Sequence, residues 1–226
     1  MNQKLVRLCN DISYLPAAEH PLSAAEHPLS ADVVLIQEPD YVCIFDVGSS
    51  GEARLAIESV PGKKLVVLSH FHPDHTANLS RITFDRLYGG RETIRRVGAG
   101  ECVDGPVRPV LPEWPDSDSL TEPSAGHLPL SILPVPSSHA KGCLLLCAGT
   151  KIAFCGDALY AGVKNGRPVY NAGQLKAMLE LLEGLEVKML ALSHDRKFVY
   201  PKETVLDGLR RLYARRDSRS SYIDAE

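Results

Sequence analysis

The chain has 226 residues, 44% hydrophobic and 23% charged, the composition of a globular protein with a real core rather than of a disordered or fibrous chain. A net charge of −3 argues against a general nucleic-acid binder, which needs a basic face. The longest apolar runs, such as 65–68 and 144–147, are strand-sized and fall well short of the roughly 20 residues of a membrane span.

The first nine residues carry no apolar stretch followed by a small-residue cleavage site, so no signal or transit peptide is expected. Segments 4–8, 32–37 and 41–46 are rich in Val, Leu and Ile and read as strands, with Pro39-Asp40 as a tight turn between the last two. Between the first two, Ala17-Ala18-Glu19-His20-Pro21-Leu22-Ser23 is repeated at once as Ala24–Ser30. Two copies are too few for a solenoid, and the prolines exclude a continuous helix, so 17–30 reads as a duplicated loop. Residues 51–60 have helical spacing of Leu55, Ile57 and Val60, stopped by Pro61-Gly62. The continuous apolar run 65–69 reads as a strand buried on both faces.

Residues 91–97 read as a short helix closed by Gly98, and 106–126, full of Pro, Ser and Asp, as a long surface loop holding Trp114 as an anchor. Strands are expected at 127–135, 143–148 and 151–155, with His127 merely starting the first and Gly149-Thr150 turning between the last two. Residues 174–185 form the clearest amphipathic helix, with Leu175, Met178, Leu179 and Leu182 on one side. A buried strand at 188–193 and a helix at 203–213 follow, and 215–226 reads as a flexible polar tail. The whole of 1–226 reads as a single domain. Its six cysteines, at 9, 43, 102, 143, 147 and 155, are dispersed without a Cys-x-x-Cys pair, which fits buried thiols in a reducing, cytoplasmic setting.

The chemistry concentrates in Ser69-His70-Phe71-His72-Pro73-Asp74-His75, directly after a buried strand. In an extended stretch His70 and His72 point the same way, and Pro73 can start a helical turn that swings Asp74 and His75 towards the same space. His139, Asp157 and His194 each fall just past an expected strand, so three further strand-to-loop junctions each present one metal ligand. Nitrogen and oxygen donors of this kind suit zinc, and also iron or manganese.

In this order, His70-x-His72-x-Asp74-His75, His139, Gly156-Asp157 and Ser193-His194 resemble the metallo-β-lactamase-fold hydrolase superfamily, from Asp46 to His194. The nearest likeness is to its glyoxalase II and lactonase-like branch, without a clear C-terminal helical domain. The resemblance implies an α/β chain folded as a four-layer αβ/βα sandwich with metals at one edge. It implies a first metal on His70, His72 and His139 and a second on Asp74, His75 and His194. Asp157 would bridge them, and Asp46 would orient a ligand histidine from behind.

The expected cofactors are two Zn2+ ions, with Fe or Mn as alternatives. The expected reaction is hydrolysis of a small ester-like substrate, a thioester, a lactone or a related compound, by a water activated between two cations, with Asp74 also relaying a proton. The partner is then a small molecule rather than a nucleic acid or a membrane. Two other readings stay open: a mononuclear iron, persulfide dioxygenase-like oxidoreductase, and a non-catalytic metal-binding module. Residues 158–171 are expected to wall the pocket, with Tyr160, Arg167 and Tyr170, and His20 and His27 of the duplicated loop, as candidate substrate contacts. Cys155 is expected to pack beneath the site.

Overall fold

The computed structural model describes residues 5–19, 29–103, 128–195 and 197–225. Its first half runs β1 (Val6–Arg7), β2 (Ile12–Leu15), β3 (Ala18–Glu19), β4 (Leu29–Ser30), β5 (Val33–Gln37), β6 (Tyr41–Phe45), α1 (Gly51–Ser59), β7 (Lys63–Leu68), α2 (Pro73–Thr76), β8 (Arg86–Gly89) and α3 (Arg91–Gly98). The second half runs β9 (Leu130–Pro134), β10 (Leu144–Ala148), β11 (Ile152–Phe154), β12 (Gly162–Lys164), β13 (Arg167–Asn171), α4 (Ala172–Gly184), β14 (Met189–Ala191), β15 (Val199–Pro201), α5 (Lys202–Ala214) and β16 (Tyr222–Asp224).

Two sheets carry the fold, one ordered β1-β2-β5-β6-β7-β8 and the other β15-β14-β11-β10-β9. Alternation along their strands explains why the sequence shows continuous apolar runs. Val34, Ile36, Cys43, Phe45, Leu65 and Val67 face the second sheet and pack on its Ile132, Leu144, Leu146 and Phe154. The residues between them, Val33, Leu35, Val42, Ile44, Val66 and Leu68, face outward against Ala53 and Ile57 of α1 and Val97 of α3. On the other side Leu145, Cys147 and Ala153 meet Leu175, Met178, Leu179 and Leu182 of α4 and Leu206 and Leu209 of α5. Helix, sheet, sheet and helix therefore stack as the expected four layers, and each central strand is buried on both faces.

Local chemistry sets the element ends. The Ser50 side chain accepts from the Ala53 N–H at 2.9 Å and starts α1, and Asn171 does the same for Gln174 at 3.0 Å and starts α4. The parallel pairings, β6 with β7, β7 with β8 and β11 with β14, bring strand C-termini to one edge. Residues 46, 69–75, 155–157 and 192–194 all follow such C-termini.

Several expectations are corrected. Leu55 is 59% exposed, so the buried face of α1 is Ala53 and Ile57. The tail is not structureless throughout: β16 pairs with β13, and Ile223, 4% exposed, joins the helix-side core. Strands β2, β8, β12, β13 and β15 were not anticipated, and 4–8 shrinks to the exposed β1. Of the six cysteines five are buried and Cys9 is exposed. The duplicated segment leaves and returns through the β3–β4 pair, whose register sets Ala18 opposite Ser30. The long loop at 106–126, with Trp114, and His127 lie outside the described residues. Among the described residues no helix is long and apolar enough to cross a membrane.

Candidate metal centre

The segment after β7 does what its residues dictate. His72 is extended, with φ −68° and ψ 143°, and Pro73 occupies the first turn of α2, where its missing N–H costs nothing. His75 is thereby turned back into the interior and is fully buried. His139 comes from the turn before β10, Asp157 from the turn after β11, and His194 from the turn after β14.

These seven side chains meet as two groups. His70, His72 and His139 form one, and Asp74, His75, Asp157 and His194 the other, each with its candidate ligand atoms within 4.8 Å of one another. In the first group Nδ1 of His72 lies 2.9 Å from Nε2 of His70 and 3.0 Å from Nε2 of His139. In the second, Nε2 of His194 is 3.0 Å from Asp74 Oδ2 and 3.4 Å from Nε2 of His75. Asp157 Oδ2 stands 3.4 Å from Nε2 of His75 and 3.4 Å from Nε2 of His139, one atom in reach of both groups.

The far side of three of the rings is fixed. His139 Nδ1 donates to the Ala161 carbonyl at 3.1 Å, which leaves a lone pair on Nε2. His75 Nδ1 donates to Asp46 Oδ2 at 2.7 Å. His70 Nδ1 is 3.0 Å from the Ser69 hydroxyl. Asp46 also accepts the Ser69 N–H through Oδ1 at 2.7 Å, and it does so in a left-handed backbone conformation, φ 58°. Gly156 and Gly162 permit the close approach around these groups. A Cβ on Gly156, φ 50°, would lie 2.5 Å from Ser69 Oγ, and one on Gly162 would lie 2.0 Å from the Ser138 carbonyl oxygen, beside His139.

Charge divides the two groups. Burial, with His75, His72 and His139 nearby, drives His70 well below the ordinary histidine range, and burial with His139 takes His72 down to about 4. Burial also opposes charge on His75, but Asp46 and Asp157 overcome it and raise that ring well above its ordinary value. For Asp74 burial acts upward, yet the His194 hydrogen bond and the His75 charge bring it down to about 2; Asp157 is likewise lowered, against its burial, by His75. Neutral imidazoles and ionised carboxylates are the ligand forms, so His70, His72, Asp74 and Asp157 are ready as they stand, whereas His75, and His194 raised against its burial by the Asp74 hydrogen bond, would each give up a proton on binding a cation.

The donor set fits cations. Atoms bound about 2.0–2.1 Å from one zinc in a tetrahedron sit roughly 3.3 Å apart, close to the separations here. Three ring nitrogens this close cannot all be paired by hydrogen bonds, because each carries either a proton or a lone pair. Among the described residues the buried Asp157 Oδ1 has no hydrogen-bond partner.

The anticipated substrate residues fare differently. The hydroxyls of Tyr160 and Tyr170 are committed to backbone carbonyls, of Ser193 and Leu159 respectively, so both tyrosines brace the β11–β13 region. Arg167 is exposed at the turn end of the β12–β13 hairpin and, among the described residues, bonds to no member of either group. His20 and His27 lie outside the described residues. Cys155 is fully buried, as expected. Sequence reading missed Ser69, whose hydroxyl and N–H serve His70 and Asp46. It also missed Asp32, which binds the His194 turn across 162 positions without any local signature. Arg96, whose guanidinium sits 4.2 Å over the ring of Phe71 between two site histidines, was equally unmarked.

No curated protein matches the chain. Among solved structures it is similar to a metallo-beta-lactamase from Pontibacter korlensis, at 13% identity and a TM-score of 0.65, covering 95% of this chain and 100% of that one. It is also similar to the metallo-beta-lactamase FIM-1 from Pseudomonas aeruginosa in its mono-zinc form, at 14% identity and TM-score 0.62, covering 95% and 96%. An archaeal metallo-beta-lactamase superfamily protein from Sulfolobus tokodaii matches at 16% identity and TM-score 0.59, covering 94% and 90%. Identities at this level carry the fold alone. A family model, described as the metallo-beta-lactamase superfamily, matches residues 28–194, which include Asp46 and all seven side chains of the two groups. With most of its length matched, the chain belongs to the metallo-beta-lactamase superfamily.

Proposed function

We propose that the protein is a dinuclear zinc hydrolase acting on a small ester-like molecule, a thioester, a lactone or a related acyl compound, in the cytoplasm. Family membership and the histidine–aspartate clusters support a metal-dependent, hydrolase-type function. The observation that carries the finer reading is the place of Asp157, whose Oδ2 is 3.4 Å from a ring nitrogen of each group.

In this reading His70, His72 and His139 hold one cation, Asp74, His75 and His194 hold the other, and Asp157 serves both. Bound there, two cations supply Lewis acidity, lowering the pKa of water towards about 7 and polarising the substrate oxygen. Asp74 is partly exposed, with its side chain 24% accessible, and it is ionised at neutral pH. It can therefore take a proton from the attacking water and pass it outward. Cys155 offers no competing nucleophile, since complete burial pushes its thiol far up and keeps it protonated.

Purified protein assayed for metal content against thioesters, lactones, phosphodiesters and persulfides tests the reading. The expected result is two zinc per chain and hydrolysis of an acyl substrate that stops on chelation. His72→Ala should lose most metal and all hydrolysis. Iron with oxygen uptake on a persulfide, or hydrolysis indifferent to chelation, overturns it.

A further inference from the structure

Asp32, just before β5, belongs to neither group and is 4% exposed, and its N–H and both carboxylate oxygens are engaged. Oδ2 accepts from the Ser193 hydroxyl at 3.1 Å and from the His194 N–H at 2.9 Å, and Oδ1 accepts from the Ala17 N–H at 2.9 Å. The Asp32 N–H in turn donates to the Ser193 hydroxyl oxygen at 3.1 Å. One carboxylate thus joins the first sheet to the turn after β14 in the second.

That turn needs holding. His194 has φ 62°, a left-handed conformation that side chains bearing a Cβ seldom adopt and that persists only where the surroundings enforce it. Ser193 is gripped by its N–H, which donates to the Gly156 carbonyl at 3.2 Å, and by its carbonyl, which accepts from Tyr160. Among the described residues the N–H of His194 itself has one acceptor, Asp32. Rotating that peptide would carry the imidazole away from Asp74 and His75, from which its Nε2 now lies 3.0 and 3.4 Å.

We propose that Asp32 is a positioning residue that fixes the His194 peptide and so sets the affinity of the second cation. The inference rests on Asp74, His75, Asp157 and His194 forming that cation's site. Asn at 32 can turn its single amide oxygen to the Ser193 hydroxyl and His194 N–H, giving up Ala17, whereas Ala can do neither.

The zinc-loaded full-length chain and its Asp32→Ala, Asp32→Asn and Ile57→Ala variants are each titrated with a competing chromogenic chelator. Thermal midpoints and exchange of the His194 amide hydrogen are measured in parallel. Wild type should release two equivalents. Asp32→Ala should release one equivalent at least tenfold more readily, keep the other unchanged, and lose protection at the His194 amide. Asp32→Asn should restore both to within about threefold of wild type. Ile57→Ala, which opens the core beneath α1, should lower the midpoint and leave both zinc affinities alone, separating positioning from lost stability. Wild-type release by Asp32→Ala, or weakening in Ile57→Ala of the same size, overturns the proposal. If wild type itself holds fewer than two zinc ions, the two-cation reading fails on its own. The role of Asp32 is then decided by the His194 amide: unchanged protection in Asp32→Ala overturns it, and lost protection sustains the hold on the peptide.

Discussion

Asp46 Oδ2 and Nδ1 of His75 lie 2.7 Å apart, and neither side chain is more than 1% exposed. The pair fixes the orientation of the His75 ring and turns its Nε2 towards Oδ2 of Asp74 and of Asp157, at 3.5 and 3.4 Å. Asp46→Ala leaves the buried Ser69 N–H without its acceptor, at about 1–3 kcal/mol, and leaves the His75 Nδ1–H only the Ser69 hydroxyl at 3.4 Å. It should also weaken metal binding by roughly 10–100-fold, the usual effect of removing such a partner. Chelator competition and urea unfolding measure the two effects. Zinc affinity unchanged by the substitution would show that His75 does not depend on Asp46.

Gly156 makes a steric prediction. Its φ of 50° already disfavours any side chain, and a Cβ would meet Ser69 at 2.5 Å (Oγ) and 2.6 Å (Cβ). Ser69 cannot retreat, because its N–H is held by Asp46 and its carbonyl accepts from the Leu144 N–H at 2.9 Å. Gly156→Ala should therefore cost about 1–3 kcal/mol and displace Asp157, its neighbour. Thermal unfolding and zinc content of the purified variant check both parts. Full stability together with full zinc content would show that the Ser69 contact yields.

What could be read from the residues follows from how local each constraint is. The His70–His75 segment was legible because four candidate ligands fall within six residues, and the proline between them sets the turn observed at Pro73–Thr76. The face of α4 was legible because Leu175, Met178, Leu179 and Leu182 repeat at helical spacing, and all four are buried. The strand at 144–148 was legible because burial on both faces leaves no polar position in it. Asp32 was not legible, since its partners lie at Ala17, Ser193 and His194 and nothing adjacent marks it. The carbonyl partners of the Tyr160 and Tyr170 hydroxyls were hidden for a related reason: nothing adjacent to either tyrosine marks Ser193 or Leu159 as its acceptor. The strand at Tyr222–Asp224 was hidden because its neighbours are polar and Ile223 is the one residue of it that is buried.

Ile223 turns that correction into a measurement. It is 4% exposed and sits opposite Tyr170 in the β13 pairing, against the α4 and α5 core. Ile223→Ala should destabilise by about 2–5 kcal/mol, and Ile223→Asp by more, because an unpaired carboxylate would replace a packed side chain. Urea unfolding monitored by circular dichroism is the test. A midpoint matching wild type would mean that the tail is frayed in solution.

Thiol chemistry probes the whole core through pH. Burial pushes Cys43 up to about 12 and Cys143 and Cys147 each up to about 11, whereas Cys9 is exposed. A thiol held at 12 is ionised in about one molecule in ten thousand at pH 8, and the thiolate is the reactive form. One fast equivalent, Cys9, is therefore expected with a chromogenic disulfide reagent at pH 8, and six in denaturant. The same shifts fix a sign for stability. In the unfolded chain these thiols titrate near 8.5, so between about pH 9 and pH 11 the folded state binds more protons than the unfolded one. Stability should be fully present below pH 8 and fall across that window, by up to about 1.4 kcal/mol per pH unit for each such thiol. Urea midpoints at pH 7.5, 9 and 10.5 measure the fall. For Cys43→Ser the comparison is of slopes, and its decline should be shallower than that of wild type. Equal slopes would mean that Cys43 titrates alike in both states, contrary to its complete burial between β5 and β7.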